Sequence, residues 1–323
     1  MTAIRVIFGA FLLTTGLNAT HGWCLQSLGV QQCDFELLHV SVHHLKAFLS
    51  VKSKNTSQIA TLVETSWPEN LLHFVARRFP NAQAHNLATG CQRIVQSWRT
   101  AVDAKSRLWV IDRGSPKCPP KLIVYNLRTP WNSEVHRHVF GNATEGIFTS
   151  LTIDPETHAG RFTRAYLTLK ESNCFVVYSL EEKSFRTLCS KDTARFSESV
   201  ILPTGQLYLY DSTRNSLHFG DMRRIRDEEF HRNDVIFWET MIIGSLLGSG
   251  RSLTVDSHNF LYYIIPRDGV IVKWNTATPL TAENHDVLHF QATEMLCLIW
   301  SYQESLWLIN SVASENIHSV RLD

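Results

Sequence analysis

Short apolar runs separated by polar breaks dominate this sequence. The clearest pair lies in residues 107–129, where the runs LWVI and LIVYNL flank a break rich in glycine, proline and lysine. Runs of this length, rich in β-branched and aromatic residues, are typical of adjacent β-strands joined by a turn or loop. Helical periodicity is weak, and only residues 222–234 match a short surface helix. The pattern therefore predicts an all-β protein.

The strand pairs recur at a roughly regular spacing. Their first strands combine an apolar with an aromatic residue, and consecutive aromatics lie 57, 42, 54 and 45 residues apart. An imperfect period of about 50 residues built from paired strands predicts a six-bladed β-propeller. We expect the N-terminal region to supply the sixth blade, and the ring to close by pairing of residues 35–51 with residues 317–322. The five repeat aromatics are Trp109, Tyr166, Tyr208, Tyr262 and Trp307.

The first 22 residues match a secretory signal peptide. Arg5 supplies the positive start, residues 6–17 form an apolar run, and small residues follow. The run is shorter than the roughly 20 apolar residues that span a bilayer. We therefore expect residues 1–22 to be removed, residues 23–323 to form a single propeller domain, and the protein to be secreted into the extracellular space.

Charge and motifs exclude several classes of function. Without Arg5 the chain carries 30 basic and 30 acidic residues, so it has no overall field for nucleic acid or an anionic membrane. His39 and His43 alternate on one face of a predicted strand, but no cysteine or acid stands beside them at a metal-ligand spacing. No nucleophile elbow or phosphate-binding glycine loop is present. We expect no metal, no cofactor, no nucleic acid and no membrane partner.

Cysteines and sequons fit an oxidising compartment. Seven cysteines leave at least one thiol free or paired between chains. Residues 175–180 and 184–188 form a predicted hairpin, in which a two-residue loop places Cys174 opposite Cys189 and a three-residue loop offsets them by one. Cys91 and Cys118 lie close to one blade and form a second candidate pair. The candidate glycosylation sites are Asn55 and Asn142.

Several segments share their order and spacing with those of one known protein family. The strongest are RLWVIDRG at residues 107–114 and CPPKLIVYNLRT at residues 118–129, with HFVARRF at residues 73–79, LGSGRS at residues 247–252 and SLWLIN at residues 305–310. In these segments the chain resembles the yellow / major royal jelly protein family of insects. The resemblance extends from about residue 70 to residue 322.

The resemblance implies a secreted six-bladed propeller, in agreement with the repeat count. It implies no single activity, since family functions include pigmentation of cuticle, eggshell formation, nutrition, salivary binding of biogenic amines and claimed dopachrome conversion. The chain also departs from the family pattern. Lys105 and Lys273 stand where cysteines are common, and Ala76 replaces a proline. The family's disulfide set therefore cannot simply be transferred.

The central channel of a propeller is the default place for a small ligand. If the repeat strands are the inner ones, their ends present Asp112, Arg113, Asp211 and Asn310 at a channel mouth. Acidic groups there, with Tyr263 as an aromatic wall, suit an aryl amine. The competing interpretation is that these polar groups cap strand ends and bond neighbouring loops.

Two further positions bear on amine binding. The resemblance implies that an asparagine, and a phenylalanine two positions later, form the pocket of amine-binding relatives. Asn259 and Leu261 occupy the corresponding places, and leucine lacks the aromatic face. We therefore expect a secreted, non-catalytic protein of cuticle or eggshell matrix, binding a catechol or biogenic amine in its channel. The alternatives are a melanin-pathway enzyme of dopachrome-conversion type and a salivary amine-binding protein.

Overall fold

The computed structural model describes most of residues 23–322. The predicted signal peptide lies outside the described residues, as do Asn55, Asn142, Cys24 and Cys33. Within the described residues, no helix has the length and apolar composition needed to cross a bilayer. The described residues are 23, 25–28, 35–53, 60–68, 75–141, 148–155, 162–227, 235–289, 294–301, 304–312 and 316–322.

Six small sheets surround a central channel, which confirms the predicted six-bladed β-propeller. Strands within a blade pair antiparallel, except for one added edge strand, β16. Blade 1 contains β1 (Phe35–His43), β2 (Lys46–Ser53), β3 (Leu62–Ser66) and β4 (Arg77–Arg78). Blade 2 contains β5 (Ser97–Val102), β6 (Arg107–Asp112), β7 (Lys121–Asn126) and β8 (Glu134–Val139). Blade 3 contains β9 (Thr152–Ile153), β10 (Arg164–Thr168), β11 (Cys174–Ser179), β12 (Ser184–Ser190) and β16 (Val235–Trp238).

The second half of the ring follows the same plan. The N-terminal region supplies a whole blade, as expected, and residues 35–51 form two strands, β1 and β2. Blade 4 contains β13 (Phe196–Ile201), β14 (Gln206–Asp211), β15 (Ser216–Asp221) and β17 (Met241–Ser245). Blade 5 contains β18 (Arg251–Val255), β19 (Phe260–Ile265), β20 (Val270–Asn275) and β21 (His285–His289). Blade 6 contains β22 (Glu294–Trp300), β23 (Leu306–Val312) and β24 (Asn316–Arg321).

The five repeat aromatics occupy the second strand of blades 2 to 6. The loop before that strand fixes several of them through a carboxylate. Asp103 accepts a hydrogen bond from the indole of Trp109 at 2.8 Å, and Asp256 accepts one from the hydroxyl of Tyr262 at 3.0 Å. Each buried aromatic thus satisfies its polar atom while packing between sheets. The sequence repeat therefore marks the points where the inner loop is tied to the core of the blade.

Hydrophobic side chains fill the spaces between neighbouring sheets. Trp109 of blade 2, for example, belongs to the same buried cluster as Leu167 of blade 3. Blades 1 and 6 close the ring in the same way, because Val40 packs in a cluster that includes Ile299 and Ile309. The expected strand pairing between residues 35–51 and 317–322 is wrong for the described residues: the latter pair within blade 6. Among the described residues, blades 1 and 6 close the ring by apolar packing.

Two local features differ from a simple four-strand blade. β16 lies after β15 in the chain but pairs in parallel with β12, so it extends blade 3. The helix predicted for residues 222–234 is confirmed in its first part as α1 (Met222–Asp227). Met222 and Ile225 are buried against blade 3, which explains why a short helix with mixed charges stays in place.

Both predicted disulfides are present. Cys174 lies directly opposite Cys189 in the β11–β12 ladder and is bonded to it, and Cys91 is bonded to Cys118. Among the described cysteines, Cys297 is free. The Cys91–Cys118 bond holds the loop after β6 against the segment that precedes β5.

Removal of the hairpin disulfide is expected to destabilise the protein moderately. The bond closes a stretch with a sequence separation of 15, for which chain entropy predicts about 3 kcal/mol as an upper figure. The measurement is urea unfolding of the double variant Cys174→Ser/Cys189→Ser beside Cys297→Ser, which removes a thiol but no bond. Equal unfolding midpoints for the double variant and the unaltered protein would show that the hairpin alone holds this edge.

Candidate functional site

The six innermost strands enclose a central cavity of about 900 Å³. Each blade contributes its first strand, so the lining comes from β1, β5, β9, β13, β18 and β22 with their flanking residues. Each of these strands starts the antiparallel meander of its blade. The cavity is large enough for a small organic ligand.

A break in register recurs in the inner strands. In blades 1, 2, 4, 5 and 6 the pairing of the first with the second strand shifts by one residue near the start of the inner strand. A β-bulge of this kind leaves one residue unpaired and re-aims the side chains beside it. The residues that resume the pairing in four of these blades are His39, Arg99, Glu198 and Cys297, and all four line the channel.

Arg99 links blade 2 to the inner segments of its two neighbouring blades. Its Nη1 donates to the carbonyl oxygen of Leu38 at 2.8 Å, and its Nε donates to that of Thr149 at 3.0 Å. Burial lowers the pKa of this guanidinium from its usual value. Within the described residues, Nη2 makes no hydrogen bond, so Arg99 retains donor capacity at the channel.

Glu198 makes the corresponding link on the other side of the channel. One carboxylate oxygen accepts from the backbone N–H of Ser252 at 2.9 Å, and the other accepts from that of Leu253 at 2.8 Å. Arg251 donates from Nη2 to the backbone carbonyl of Met295 in the next blade. Charged side chains thus connect consecutive inner strands through backbone groups, which fixes the shape of the lining.

An aromatic platform stands beside these charges. Trp98 lines the channel, and the guanidinium of Arg113 lies 3.2 Å from the centre of its ring. Burial, with a contribution from Arg99, lowers the pKa of Arg113 to about 10. The Nε of Arg113 is buried without a hydrogen-bond partner among the described residues. Two arginines therefore lie over the ring of Trp98: Arg113, and Arg99 with its guanidinium 5.0 Å from the ring centre.

His39 and Cys297 complete the polar lining. Burial, followed by the positive charge of Arg99, lowers the pKa of His39 well below its usual value, so its imidazole is neutral at pH 7. Burial raises the pKa of the Cys297 thiol to about 12, so it is protonated. Within the described ranges, no group of three or more His, Cys, Asp or Glu side chains is arranged to hold a metal ion.

Acidification is expected to destabilise the folded protein between about pH 6.5 and pH 4. A histidine with a lowered folded-state pKa binds a proton more readily when unfolded, so stability is lost as the pH falls below the unfolded value of about 6.5. Each such group adds a slope of up to about 1.4 kcal/mol per pH unit. The histidines with lowered pKa values are His39, His43, His85, His136, His138 and His218.

Urea unfolding at pH 7.0 and pH 5.0 checks this pH dependence. The unfolding midpoint should drop at the lower pH, and His39→Gln should reduce the drop. A midpoint that stays constant over this range would contradict the neutral burial of these imidazoles. His258, which is exposed, supplies the matched control as His258→Gln and should leave the slope unchanged.

The predicted site residues on repeat-strand ends lie one strand outward from the lining. Asp112 ends β6, the second strand of blade 2, and pairs with Ser97 of the inner strand. Its carboxylate is fully buried, accepts from the N–H groups of Val95 and Gln96 at 2.8 Å, and lies 3.0 Å from Lys121. The placement of Asp112 on an inner strand is thus corrected, because the more polar preceding strand is innermost.

Asp211 is placed in the same way at the end of β14. It is buried and caps the following turn, accepting from the N–H and hydroxyl of Thr213 at 2.9 and 2.6 Å. Burial raises the pKa of Asp211, but these bonds and backbone N–H groups of Arg195 and Arg214 lower it overall. Both aspartates therefore cap strand ends and bind the backbone of neighbouring loops, as the competing interpretation predicts.

The remaining predicted residues do not form one site. Asn259 lies in the turn before β19, at the opposite face of the ring, where its side chain accepts from Thr204. Leu261 is buried between blades 4 and 5, and the Tyr263 hydroxyl accepts from the N–H of Leu247 at 3.1 Å. Asn310 is in β23, paired with Met295, and its side chain lies outside the described part. Of the predicted set, Arg113 places its charged group against the lining residue Trp98, and Leu261 pairs with the lining residue Val255. Ligand binding by these residues stays a prediction.

Sequence reasoning missed the residues that line the channel, namely His39, Trp98, Arg99, Glu198, Arg251 and Cys297. A signal was available in the segment before each aromatic strand. SWRTAV in β5 and FSESVI in β13 mix polar and apolar residues, as expected for a strand with one face on a lumen.

Comparison with known proteins identifies relatives of part of this chain. Residues 95–199, which contain blade 2 and strands β9 to β12 of blade 3 and end within β13, match the model of the family described as major royal jelly protein. Major royal jelly protein 6 of Apis mellifera is 24% identical over 227 residues, covering 61% of this chain and 51% of that protein. Dopaminechrome tautomerase of Drosophila melanogaster is 28% identical over 102 residues, covering 28% of this chain and 22% of that protein. This chain thus spans about half the length of major royal jelly protein 6 and several other relatives.

Solved structures match in fold. The virginiamycin B lyase of Staphylococcus aureus has a TM-score of 0.54 at 8% identity, covering 92% of this chain and 87% of that one. An auxiliary nutrient binding protein of Bacteroides thetaiotaomicron has a TM-score of 0.58 at 7% identity, covering 88% and 68%. At these identities the likeness extends to the propeller alone.

Proposed function

We propose that this chain, a member of the yellow / major royal jelly protein family, is an extracellular propeller that binds a small aromatic ligand in its central channel. The proposed ligand is rich in oxygen acceptors, as a catechol or quinone is. The observation that carries this proposal is the grouping of Trp98 with Arg99 and Arg113 at the wall of a cavity of about 900 Å³.

At Trp98, the two nearby guanidinium groups favour acceptor oxygens over an ammonium group. Guanidinium groups donate to carbonyl, phenolate and carboxylate oxygens and repel a cationic amine. Glu198, which faces the same space, already accepts two backbone hydrogen bonds. Trp98 offers a flat face on which an aromatic ring stacks. These features support a catechol or quinone above a biogenic amine.

A binding role without turnover is supported by the way the lining is fixed. Glu198 has both oxygens on backbone N–H groups, and Arg99 has two nitrogens on carbonyl oxygens. Such groups hold a shape well, but they transfer protons poorly, because a general acid or base needs a free site facing the substrate. An extracellular location is supported by the two disulfides. Proteins of a cuticle or eggshell matrix are the partners we propose.

A second candidate function is tautomerisation of a dopachrome-like quinone. The partial match to a dopaminechrome tautomerase supports it, as does His39, a neutral imidazole in the channel. Moving a proton between two carbons of a quinone methide requires one acceptor and one donor in a shaped pocket. His39 is the acceptor candidate within the described lining.

Calorimetry on the purified protein tests the proposed function. Dopachrome, dopamine, serotonin and octopamine are titrated separately, and dopachrome absorbance is followed in parallel. We expect one-site binding of dopachrome, weaker binding of the three amines and no catalytic loss of colour. Catalytic decolouration abolished by His39→Gln would establish the enzyme instead. Preferential tight binding of amines would favour the salivary scavenger, and no binding of any compound would contradict a channel ligand.

A further inference from the structure

A second cavity, of about 760 Å³, opens between blades 1 and 2. It shares no lining residue with the central channel. The ionisable residues in its described lining are all basic, and no aspartate or glutamate is among those described residues. These basic residues are Lys52 of β2, Arg78 of β4, Arg93 before β5 and His85. We call this cavity the basic groove.

Two carboxylates near the groove, those of Asp112 and Glu64, form ion pairs with other residues. Asp112, behind the groove, is buried against Lys121 and accepts backbone hydrogen bonds from Val95 and Gln96. Glu64 pairs with Arg77 at 2.9 Å and with Lys46 at 2.8 Å.

The strand geometry explains why the side chain of Arg78 lines the groove. Consecutive residues of a strand point to opposite faces, so Arg77 turns to Glu64 while Arg78 turns to the groove. Lys52 faces Glu36 across the β1–β2 ladder, but Glu36 lines the central channel. Within the described residues, none of the cations at positions 52, 78 and 93 forms an ion pair with a carboxylate.

His85 lies in the lining of the groove together with Arg78 and Arg93. Its Nε2 lies 2.7 Å from the carbonyl oxygen of Phe79 and therefore carries the proton, which leaves Nδ1 as an acceptor. Nδ1 is buried and has no partner among the described residues. Burial lowers the pKa of His85, and the charges of Arg78 and Arg93 lower it further against the opposing bond to Phe79 and the charge of Asp112. Arg78, Arg93 and His85 thus line the same groove, and Nδ1 of the imidazole has no hydrogen-bond partner among the described residues.

We propose that the basic groove binds a compact anion that carries two or more phosphate or sulfate groups. Arginine offers paired N–H donors that match tetrahedral oxyanions, and lysine adds a third positive charge at the rim. The chain as a whole has a formal net charge of only +1, so attraction to a polyanion has to come from this local cluster. The site is independent of the channel ligand, and either proposal can fail without the other.

Calorimetry with two probes tests the groove at low and physiological salt. The probes are inositol hexakisphosphate and sucrose octasulfate, with myo-inositol and sucrose as uncharged controls. We expect one-site binding of at least one charged probe, weakening as salt rises, and no binding of the controls. The probe that binds more tightly identifies phosphate or sulfate as the preferred group.

Paired variants locate the binding. Arg78→Gln/Arg93→Gln should weaken binding at least about 30-fold, since two charge-assisted contacts are lost. Arg195→Gln/Arg267→Gln removes the same charge from two exposed positions in other blades and should change affinity less than about 2-fold. Equal losses in both double variants, or no binding of either probe by the unaltered protein, would overturn the proposal. The unfolding midpoint of each variant confirms that it is folded.

Discussion

Replacing Asp112 by alanine is expected to destabilise the protein by about 3–5 kcal/mol. The change leaves Lys121, only 1% exposed, as a buried charge without its carboxylate partner. It also removes the acceptor of three backbone N–H groups, those of Val95, Gln96 and Gly114. Those bonds join the segment before β5 to the end of β6, so the start of the inner strand loses its support.

Urea unfolding with the matched variant Asp268→Ala measures this effect. Asp268 is exposed in the β19–β20 turn, and its loss should change the free energy of unfolding by less than about 0.5 kcal/mol. The double variant Asp112→Ala/Lys121→Met should recover part of the loss, because it removes the unpaired charge but not the missing acceptor. Similar stability of Asp112→Ala and Asp268→Ala would show that Asp112 has no structural role and would return it to the ligand-binding candidates.

Replacing Arg99 by methionine is expected to reduce binding of a quinone ligand by about 10- to 100-fold. The change removes the guanidinium that faces the channel and its hydrogen bonds to the carbonyl groups of Leu38 and Thr149. A charge-assisted hydrogen bond to a ligand oxygen accounts for a loss of this size. The measurement is calorimetry with dopachrome on protein whose unfolding midpoint has been checked.

Two further variants separate binding from folding. Arg267→Met removes an exposed arginine away from both cavities and should bind the ligand as the unaltered protein does. Arg99→Lys keeps a positive charge but loses the planar fork, so we expect intermediate affinity. Unchanged affinity in folded Arg99→Met would exclude Arg99 from the site.

The blade repeat could be predicted from sequence because the second and third strands of each blade are buried on both faces. RLWVID in β6 and KLIVYN in β7 are nearly continuous apolar runs, and five such aromatic strands set the period. The same property allowed the Cys174–Cys189 pair to be predicted, since hairpin register follows from loop length.

The site could not be predicted in the same way, because the innermost strands have a weaker pattern. One face of β5 meets the lumen, and its register shift at Trp98 interrupts strict alternation. The sequence therefore favours the inner position for the more apolar strand that follows. This prediction places Asp112 and Asp211 at the lumen, whereas in the structure they accept hydrogen bonds from nearby backbone N–H groups. The convergence of Arg99, Glu198 and Arg251 depends on contacts between residues in different blades, which no local pattern encodes.

The central claim is that a small aromatic ligand occupies the channel beside Trp98. A crystal structure of the protein with dopachrome, or with a stable catechol analogue, tests it most directly. We predict density for the ring against Trp98, with ligand oxygens within hydrogen-bond distance of Arg99 or Arg251. Ligand density only on the outer surface, or an empty channel at a concentration that saturates binding in solution, would contradict the account.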